Sequence, residues 1–326
     1  MGRPQPKSQA IRDTLERFPN LGSRTIARIV LHNHGDLYDN DIEKIRALIR
    51  YHRGAQGVSQ RQRKGLDKNI TPHAMPTTWR EVRAPYVLPP GLWAVLNDLH
   101  VPFHDIKAVE SAISYTKSQK VDGILFNGDL QDCASISFWM TGRKRDFDKE
   151  LEVFIDFLDF IRQEFPKQKT VYKPGNHEYR LPRYYQTKAP DLIGIPLAVF
   201  DEVLGLEQRG IEYLDYYQLV MAGKLPILHG HEVRRMATAV NPARGLFMRF
   251  KSWGMCGHCH KTSEHTERDI RGTILTTWSV GCLCDLSPDY DMYANSWNHG
   301  FALVNVEKNG DFEVENRRIL PNGKIV

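Results

Sequence analysis

The sequence lacks any apolar run able to cross a bilayer. Its longest nearly apolar stretch, Leu192 to Phe200, is broken by Gly194 and Pro196, whereas a spanning helix needs about 20 apolar residues. The opening residues, MGRPQPKSQA, hold no apolar core of a secretory signal, so a cytoplasmic location without membrane attachment is expected. Cysteine is scarce and odd in number: Cys133, Cys256, Cys259, Cys282 and Cys284. That argues against a disulfide framework and for reduced thiols. There is no low-complexity tract and no repeat of fixed period, which excludes solenoids and fibrous arrays. What remains is an ordinary globular composition over 326 residues, enough for a large core plus an appendage.

Charge is unevenly spread. Residues 1–83 hold 16 Lys/Arg against 8 Asp/Glu, a net of +8, which leaves −3 for the rest of a chain whose total is +5. A basic segment on a near-neutral body points to a polyanion such as DNA or RNA, the plainer reading being a solvated basic surface. Three helical patterns follow one another there. Ser8 is placed to cap a helix through Phe18, and Ser23 one with Ile26, Ile29 and Val30 on a single face. Asn40 with Glu43 forms a capping-box signature ahead of Ile42, Ile45, Leu48 and Ile49, with Lys44, Arg46, Arg50 and Arg53 facing outward until Gly54. Three short helices with a basic last one resemble a helix-turn-helix module, the alternative being a docking or oligomerisation domain. Residues 55–90 turn polar and basic without periodicity and read as a linker. The expected division is therefore a helical module at 1–54, a linker at 55–90 and a catalytic domain at 91–326.

From Gly91 onward, short apolar runs each end in a turn loaded with ligand-type side chains. Leu92–Leu96 leads into Asp98 and His100, and Val121–Phe126 into Asp129 and Asp132. Thr170–Tyr172 leads into Asn176, His177 and Glu178; Leu225–Leu228 into His229 and His231; Trp253–Cys256 into His258 and His260. Asp105 caps an intervening helix to Gln119, and Leu151, Phe154, Ile155, Leu158 and Ile161 form the buried stripe of another. Strands alternating with helices predict an α/β sandwich whose strand ends share one site. Oxygen-rich ligands mixed with imidazoles suit divalent ions such as Mn, Fe, Zn or Co. Two such ions about 3.5 to 4 Å apart, bridged by a carboxylate, activate water and clamp a phosphoryl group, so phosphoester hydrolysis is the chemistry this set serves best.

In order, these blocks read Asp-x-His, Gly-Asp-x-x-Asp, Gly-Asn-His-Glu, His-Gly-His and Gly-His-x-His. The series resembles the calcineurin-like metallophosphoesterases over roughly residues 92–310. The resemblance implies a four-layer sandwich of two mixed β-sheets flanked by helices, here preceded by the small all-helical domain. It implies that Asp98, His100 and His260 hold one metal, that Asp129 bridges, and that Asn176, His229 and His258 hold the other. It also implies that His177 acts as general acid at the leaving group, oriented by Asp132. Manganese is the first choice for both ions, with iron, zinc, cobalt, nickel and magnesium as alternatives. Arg180 and His231 are candidates for contact with the substrate.

Where the phosphoprotein phosphatase branch resembles Gly-Asp-x-x-Asp-Arg-Gly, this sequence has Cys133-Ala134 after Asp132, which disfavours a protein substrate. Basic residues after the fourth block (Arg234, Arg235, Arg244, Arg249, Lys251) favour a phosphodiester in nucleic acid or nucleotides, cleaved by a hydroxide bridging the metals. Trp278, Tyr290, Tyr293 and Trp297 are candidates for base stacking or, more plainly, for packing. The alternatives are a phosphomonoesterase on small substrates and a non-catalytic nucleic-acid-binding or scaffold protein. A structural zinc site built from Cys256, Cys259, Cys282 and Cys284 competes for the region of His258 and His260, so buried reduced cysteines are the simpler expectation.

Overall fold

The computed structural model describes residues 6–54, 82–138, 146–193, 200–233, 240–288 and 295–326. Contacts divide the chain into two compact units, Met1–Arg80 and Glu81–Val326.

In the first unit, α1 (Pro6–Arg17), α2 (Ser23–His34) and α3 (Ile42–Arg53) enclose a core of Ile11, Ile26, Val30, Tyr38, Ile45 and Ile49. Ala27 is buried, whereas Ile29 is only half-buried. Helix starts differ from expectation by one or two positions. The Asp41 carboxylate, not Asn40, accepts from the Glu43 and Lys44 amides. Asn40 instead takes a left-handed φ of 55° that ends the preceding turn, a conformation Asn tolerates better than most residues. Gly22 precedes α2 without a side-chain cap, leaving the Ser23 hydroxyl to accept from Arg53 (2.9 Å). Ser8 lies inside α1, and its hydroxyl meets His52 Nε2 (2.8 Å). Between α2 and α3 run Gly35 to Asp41, including the 3-10 turn Gly35–Tyr38, longer than the 3–4-residue turn of a helix-turn-helix.

The second unit contains two six-stranded mixed sheets. The first has the order β12-β11-β2-β3-β4-β5: Phe312–Arg318, Gly300–Val306, Gly91–Leu96, Gly123–Asn127, Lys169–Lys173 and Ile211–Tyr213. Strands β2 to β5 are parallel, and β11 and β12 add antiparallel at the edge. The second has the order β1-β6-β7-β8-β10-β9: Tyr86–Leu88, Val220–Ala222, Leu225–Leu228, Gly254–Cys256, Ile274–Ser279 and Ser263–Arg268. β1 lies inside the stretch expected to be linker; it pairs in parallel with β6 and buries Leu88.

The sheets pack face to face through Trp93, Val95, Leu125 and Val171 of one and Val220, Ile227, Met255 and Trp278 of the other. On the outer face of the first sheet lie α4 (Ile106–Ser118) and α5 (Phe147–Glu164). Val109, Ile113, Phe154, Phe157, Leu158 and Ile161 of these helices join Ile124, Phe126 and Tyr172 in a second core. Asp105 caps α4 as expected, accepting from the Ala108 amide. Helix α6 (Arg180–Lys188) follows the β4 turn, and α7 (Pro242–Phe250) packs Leu246 against Cys256 of the second sheet. The expected four layers, two mixed sheets flanked by helices, are thus present. Burying side chains on both faces of the central strands makes them nearly continuous apolar runs and sends ligand-type residues to their ends. Among the described residues no helix is long and apolar enough to cross a membrane.

Candidate metal centre

The ligand blocks follow the carboxyl ends of β2, β3, β4, β7 and β8, where the backbone leaves extended geometry abruptly. Asp98, His100, Asp129, His258 and His260 all have φ between 50° and 62°, a left-handed region that non-glycine residues enter at a cost and that clusters at functional sites. Such turns re-aim consecutive side chains into one space. Gly175 and Gly257 allow it: a Cβ on Gly175 would press into the Asp129 carboxylate, and one on Gly257 would meet Asp98 Oδ2.

The Asp98 and Asp129 carboxylates are each tied by one oxygen and turn the other toward imidazole nitrogens. Asp98 Oδ2 accepts from Asn97 Nδ2 (2.6 Å) and the His258 amide (2.7 Å). Its Oδ1 has no hydrogen-bond partner and lies 3.2 Å from His260 Nε2 and 3.8 Å from His229 Nε2. Asp129 Oδ1 accepts from the His177 amide (2.8 Å), while Oδ2 faces His229 Nε2 (3.1 Å), His177 Nε2 (3.8 Å) and His100 Nε2 (4.0 Å).

The imidazoles mirror this, with Nδ1 held from behind and Nε2 turned inward. His100 Nδ1 donates to Asp132 Oδ1 (2.8 Å), His229 Nδ1 to the Asn127 carbonyl (2.8 Å), and His260 Nδ1 stands 3.8 Å from Cys284 Sγ. Such backing fixes tautomer and orientation in metal sites. Ligand atoms converge in three groups: His100, Asp129 and His177; Asp129, His229 and His258; and His100, His260 and Cys284.

Electrostatics follow from this crowding. Burial would raise Asp98, but His260 and His229 beside it hold it down to about 2. Asp129 and Asp132 are likewise driven below the usual carboxylate range against burial, chiefly by His177. Burial alone would lower the histidines; Asp129 and Asp98 instead lift His229 to about 10, and Asp98 lifts His260 to about 9. His177 is also raised, by Asp129 and Asp132 against burial. In His258 and His231 burial prevails and lowers each to about 4, and burial lowers His100 too.

The residues fit a metal pair. Three buried ligand-type atoms, Asp98 Oδ1, Asn176 Oδ1 and His229 Nε2, have no hydrogen-bond partner, and an unsatisfied buried polar atom is costly unless something binds it. The donor set, carboxylate and amide oxygen with imidazole nitrogen, suits divalent transition ions.

Five of the seven sequence-derived ligand candidates, His100, Asp129, His229, His258 and His260, meet in these groups. Asp98 approaches His260 and His229 through its unpaired Oδ1, and Asn176 is identified by its own unpaired oxygen. Asp132 does more than expected: His177 Nδ1 donates to its carbonyl (3.0 Å) and lies 2.9 Å from its Oδ1, which accepts from His100. Arg180 donates to the Asp132 carbonyl (2.8 Å) and lies 3.0 Å from His177 Nε2. His231 stacks on Tyr216 (4.9 Å between ring centres), and its Nδ1 has no hydrogen-bond partner.

Other candidates are displaced. Trp278 is buried between the sheets against Phe312 and offers no stacking face. Arg244, Arg249 and Lys251 are exposed on or just after α7. Arg234, Arg235, Tyr290 and Tyr293 lie outside the described residues. Trp297 packs its ring 4.1 Å from that of His260. All five cysteines are free and buried, and among the described residues Cys256 and Cys259 join no ligand group.

Sequence reasoning assigned no role to Glu178. Its carboxylate accepts from the amides of Asp129, Leu130, Gln131 and Gly175 and from the Tyr172 hydroxyl at 2.6–3.1 Å, bracing the Asp129 turn. It also missed Lys173, whose buried ammonium meets Glu232 (2.8 Å), which in turn accepts from the Gly230 amide (2.7 Å) and holds the His229 turn. An acid adjoining the Asn-His pair and a lysine ending an apolar strand were the available signals.

With this geometry in view, residues 93–252 match the family model described as calcineurin-like phosphoesterase. This stretch is thus similar to the calcineurin-like phosphoesterases. Among curated proteins it is 29% identical over 227 residues to the Gene 54 protein of Mycobacterium phage L5, covering 65% of this chain and 88% of that protein. It is 27% identical over 229 residues to the Gene 54 protein of Mycobacterium phage D29, covering 66% and 89%. Among solved structures, vacuolar protein sorting 29 of Cryptosporidium parvum aligns with a TM-score of 0.39 at 14% identity, covering 73% of this chain and 96% of that one.

Proposed function

We propose that this protein is a phosphodiesterase dependent on two divalent metals, acting on nucleic acid or nucleotides. The observation that carries the reading is the pair of inward-facing carboxylate oxygens, Asp98 Oδ1 and Asp129 Oδ2, each set against inward-turned imidazole nitrogens of buried residues. Asp98, His100 and His260 hold one ion, Asn176, His229 and His258 the other, and Asp129 lies between. When bound, such a pair, manganese being the first choice, activates water and neutralises phosphoryl charge. Asp132 orients His100 and His177 together, so ligand and acid are set by one carboxylate. The raised pKa of His177 keeps a proton available near neutrality, and Nε2 delivers it to the departing oxygen. Arg180 lies 3.0 Å from that Nε2 and donates to it only while it is unprotonated, so with Nε2 protonated the guanidinium turns toward the phosphate instead.

Turnover of mono- and bis-(p-nitrophenyl) phosphate with and without Mn tests the proposal. Diester hydrolysis that requires the metal is expected, and exclusive monoester turnover would establish the phosphatase alternative. Asp129→Asn abolishes activity and disturbs both ions. His177→Ala slows turnover by about 10²–10⁴-fold and keeps its metals; metal loss in that variant would make His177 a ligand.

The first unit is read as a nucleic-acid-binding module resembling a helix-turn-helix, on the support of charge rather than of its turn. Its exposed cations are redistributed relative to expectation. Lys44 pairs with Asp39 (2.7 Å), Arg46 with Glu43, and Arg53 bonds Ser23 and Leu21. Arg24 and Arg28, one turn apart on α2, are exposed and have no ion pair among the described residues.

A further inference from the structure

A groove of about 600 Å³ opens beside the metal centre, between the segment after β3 and helix α6. It begins at groups already placed in the site: Asn176, with its bare Oδ1, and Arg180, which bonds Asp132 and reaches His177. It then runs along the face of α6 that presents Arg183, Tyr184, Thr187 and Lys188, positions spaced three, four, seven and eight residues after Arg180 and therefore on one side of the helix. Arg180, Arg183 and Lys188 string three cations over about 12 Å of helix, and among the described residues no acidic one lines the groove.

Apart from Ile136 and Ser137, the remaining lining is aromatic. Phe138 is 75% exposed and Tyr184 41% exposed, and the Arg183 guanidinium sits 5.7 Å from the centre of the Phe138 ring. Tyr179 stacks on Tyr216 (4.4 Å, 24° between planes), and Tyr216 stacks on His231 (4.9 Å, 29°), so a column of three rings leads from the groove to the centre. Exposed π-faces interleaved with guanidinium and ammonium groups are the combination by which single-stranded nucleic acid is held, bases on rings and backbone on cations. A small phosphomonoester would need neither the length nor the rings.

We propose that this groove is the leaving-group subsite for a single-stranded oligonucleotide. The nucleoside beyond the scissile bond stacks on Tyr184 and Phe138, and Arg183 and Lys188 hold its next phosphate. The assignment to the leaving side follows from the groove starting at Asn176 and at Arg180, which reaches His177, and so rests on the phosphodiesterase reading above.

The test compares kcat/KM for a short single-stranded oligothymidylate with that for bis-(p-nitrophenyl) phosphate in the full-length, Mn-loaded protein. Arg183→Ala and Tyr184→Ala are expected to lower the oligonucleotide value about fivefold or more, through KM. The small diester should change less than twofold, and Tyr184→Phe should retain wild-type behaviour. Equal losses on both substrates, or no loss on the oligonucleotide, overturn the subsite. A protein that cleaves neither diester refutes the phosphodiesterase reading, and the groove is then judged by photocross-linking a 4-thiothymidine oligonucleotide to the full chain. Adducts within residues 176–188 that disappear in Tyr184→Ala uphold nucleotide binding, whereas adducts only elsewhere, or none, refute it. Inhibition of small-substrate turnover by a phosphotyrosine peptide but not by oligothymidylate would also overturn the proposal, making the occupant a peptide.

Discussion

The two units of this chain place their charges in opposite ways. In the first, the buried set is apolar apart from Thr14, whose hydroxyl bonds back to the Ala10 carbonyl, and every described charged side chain is at least partly exposed. In the second, Asp98, Asp129, Asp132, Glu178, Lys173, His229 and His260 are all buried, although burial of charge is unfavourable unless it is paired or bound to metal. One unit is arranged as folding alone would arrange it. The other departs from that arrangement at one end of its strands, and such departures locate chemistry.

The comparison breaks most severely if the buried charge is merely incidental, and Glu178→Gln tests this. The amide would turn an NH₂ toward backbone donors that now point at a carboxylate. Losing two or more charge-assisted bonds costs about 3–5 kcal/mol, read as a shift in the urea midpoint of the second unit together with reduced metal content. A loss below about 1 kcal/mol would mean that water satisfies those donors equally well.

A second effect is expected from metal binding. At neutral pH the metal-free protein keeps protons on His229 and His260, whose pKa values are raised to about 10 and about 9, while Asp98 at about 2 is already ionised and His258 at about 4 already neutral. If His260 serves one ion and His229 the other, as proposed, each ion would displace one histidine proton. Because these folded-state values are raised, the histidine–carboxylate pairs stabilise the metal-free fold at low pH, and that contribution fades as pH rises through about 9–10. Metal affinity should run the other way, rising about tenfold per pH unit per ion between pH 6 and 8. Calorimetry in buffers of different ionisation enthalpy should give about one proton released per metal at pH 7; no release would remove His229 and His260 from the ligand set.

Much of this site was legible in the sequence because a strand end and a tight turn fix where a ligand points. His100, Asp129, His229, His258 and His260 come together, with Asp98 Oδ1 within 3.8 Å of His229 and His260. Asp105 as a cap and Phe154, Leu158 and Ile161 as a buried stripe were legible for the same local reason. What escaped depends on tertiary partners. Glu178 gathers donors from three separate segments, and Trp278 is buried only because the second sheet packs on the first. The groove combines the segment after β3 with α6, which had no strong apolar stripe to announce it: of its nine residues only Leu181 is buried. On the basic face assigned to α3, Asp39 and Glu43, close in sequence, engage Lys44 and Arg46, whereas Arg50 is exposed with no ion pair among the described residues.

That last displacement gives the smallest predicted effect and the cleanest separation of the two units. If the first unit binds nucleic acid, its contacts come from α2, where Arg24 and Arg28 stand exposed on one face. Each phosphate contact contributes about 0.9 to the slope of log affinity against log salt for duplex DNA. Replacing both arginines with alanine should therefore reduce that slope by about 2 in the full-length protein and weaken binding alike across unrelated sequences. Turnover of bis-(p-nitrophenyl) phosphate should not change, because neither arginine belongs to the second unit. Lys44→Ala and Arg46→Ala, by contrast, should leave the slope nearly unaltered, since both cations are already engaged by Asp39 and Glu43. A slope that responds to the α3 pair and ignores the α2 pair would restore α3 as the binding helix, its ion pairs yielding to phosphate.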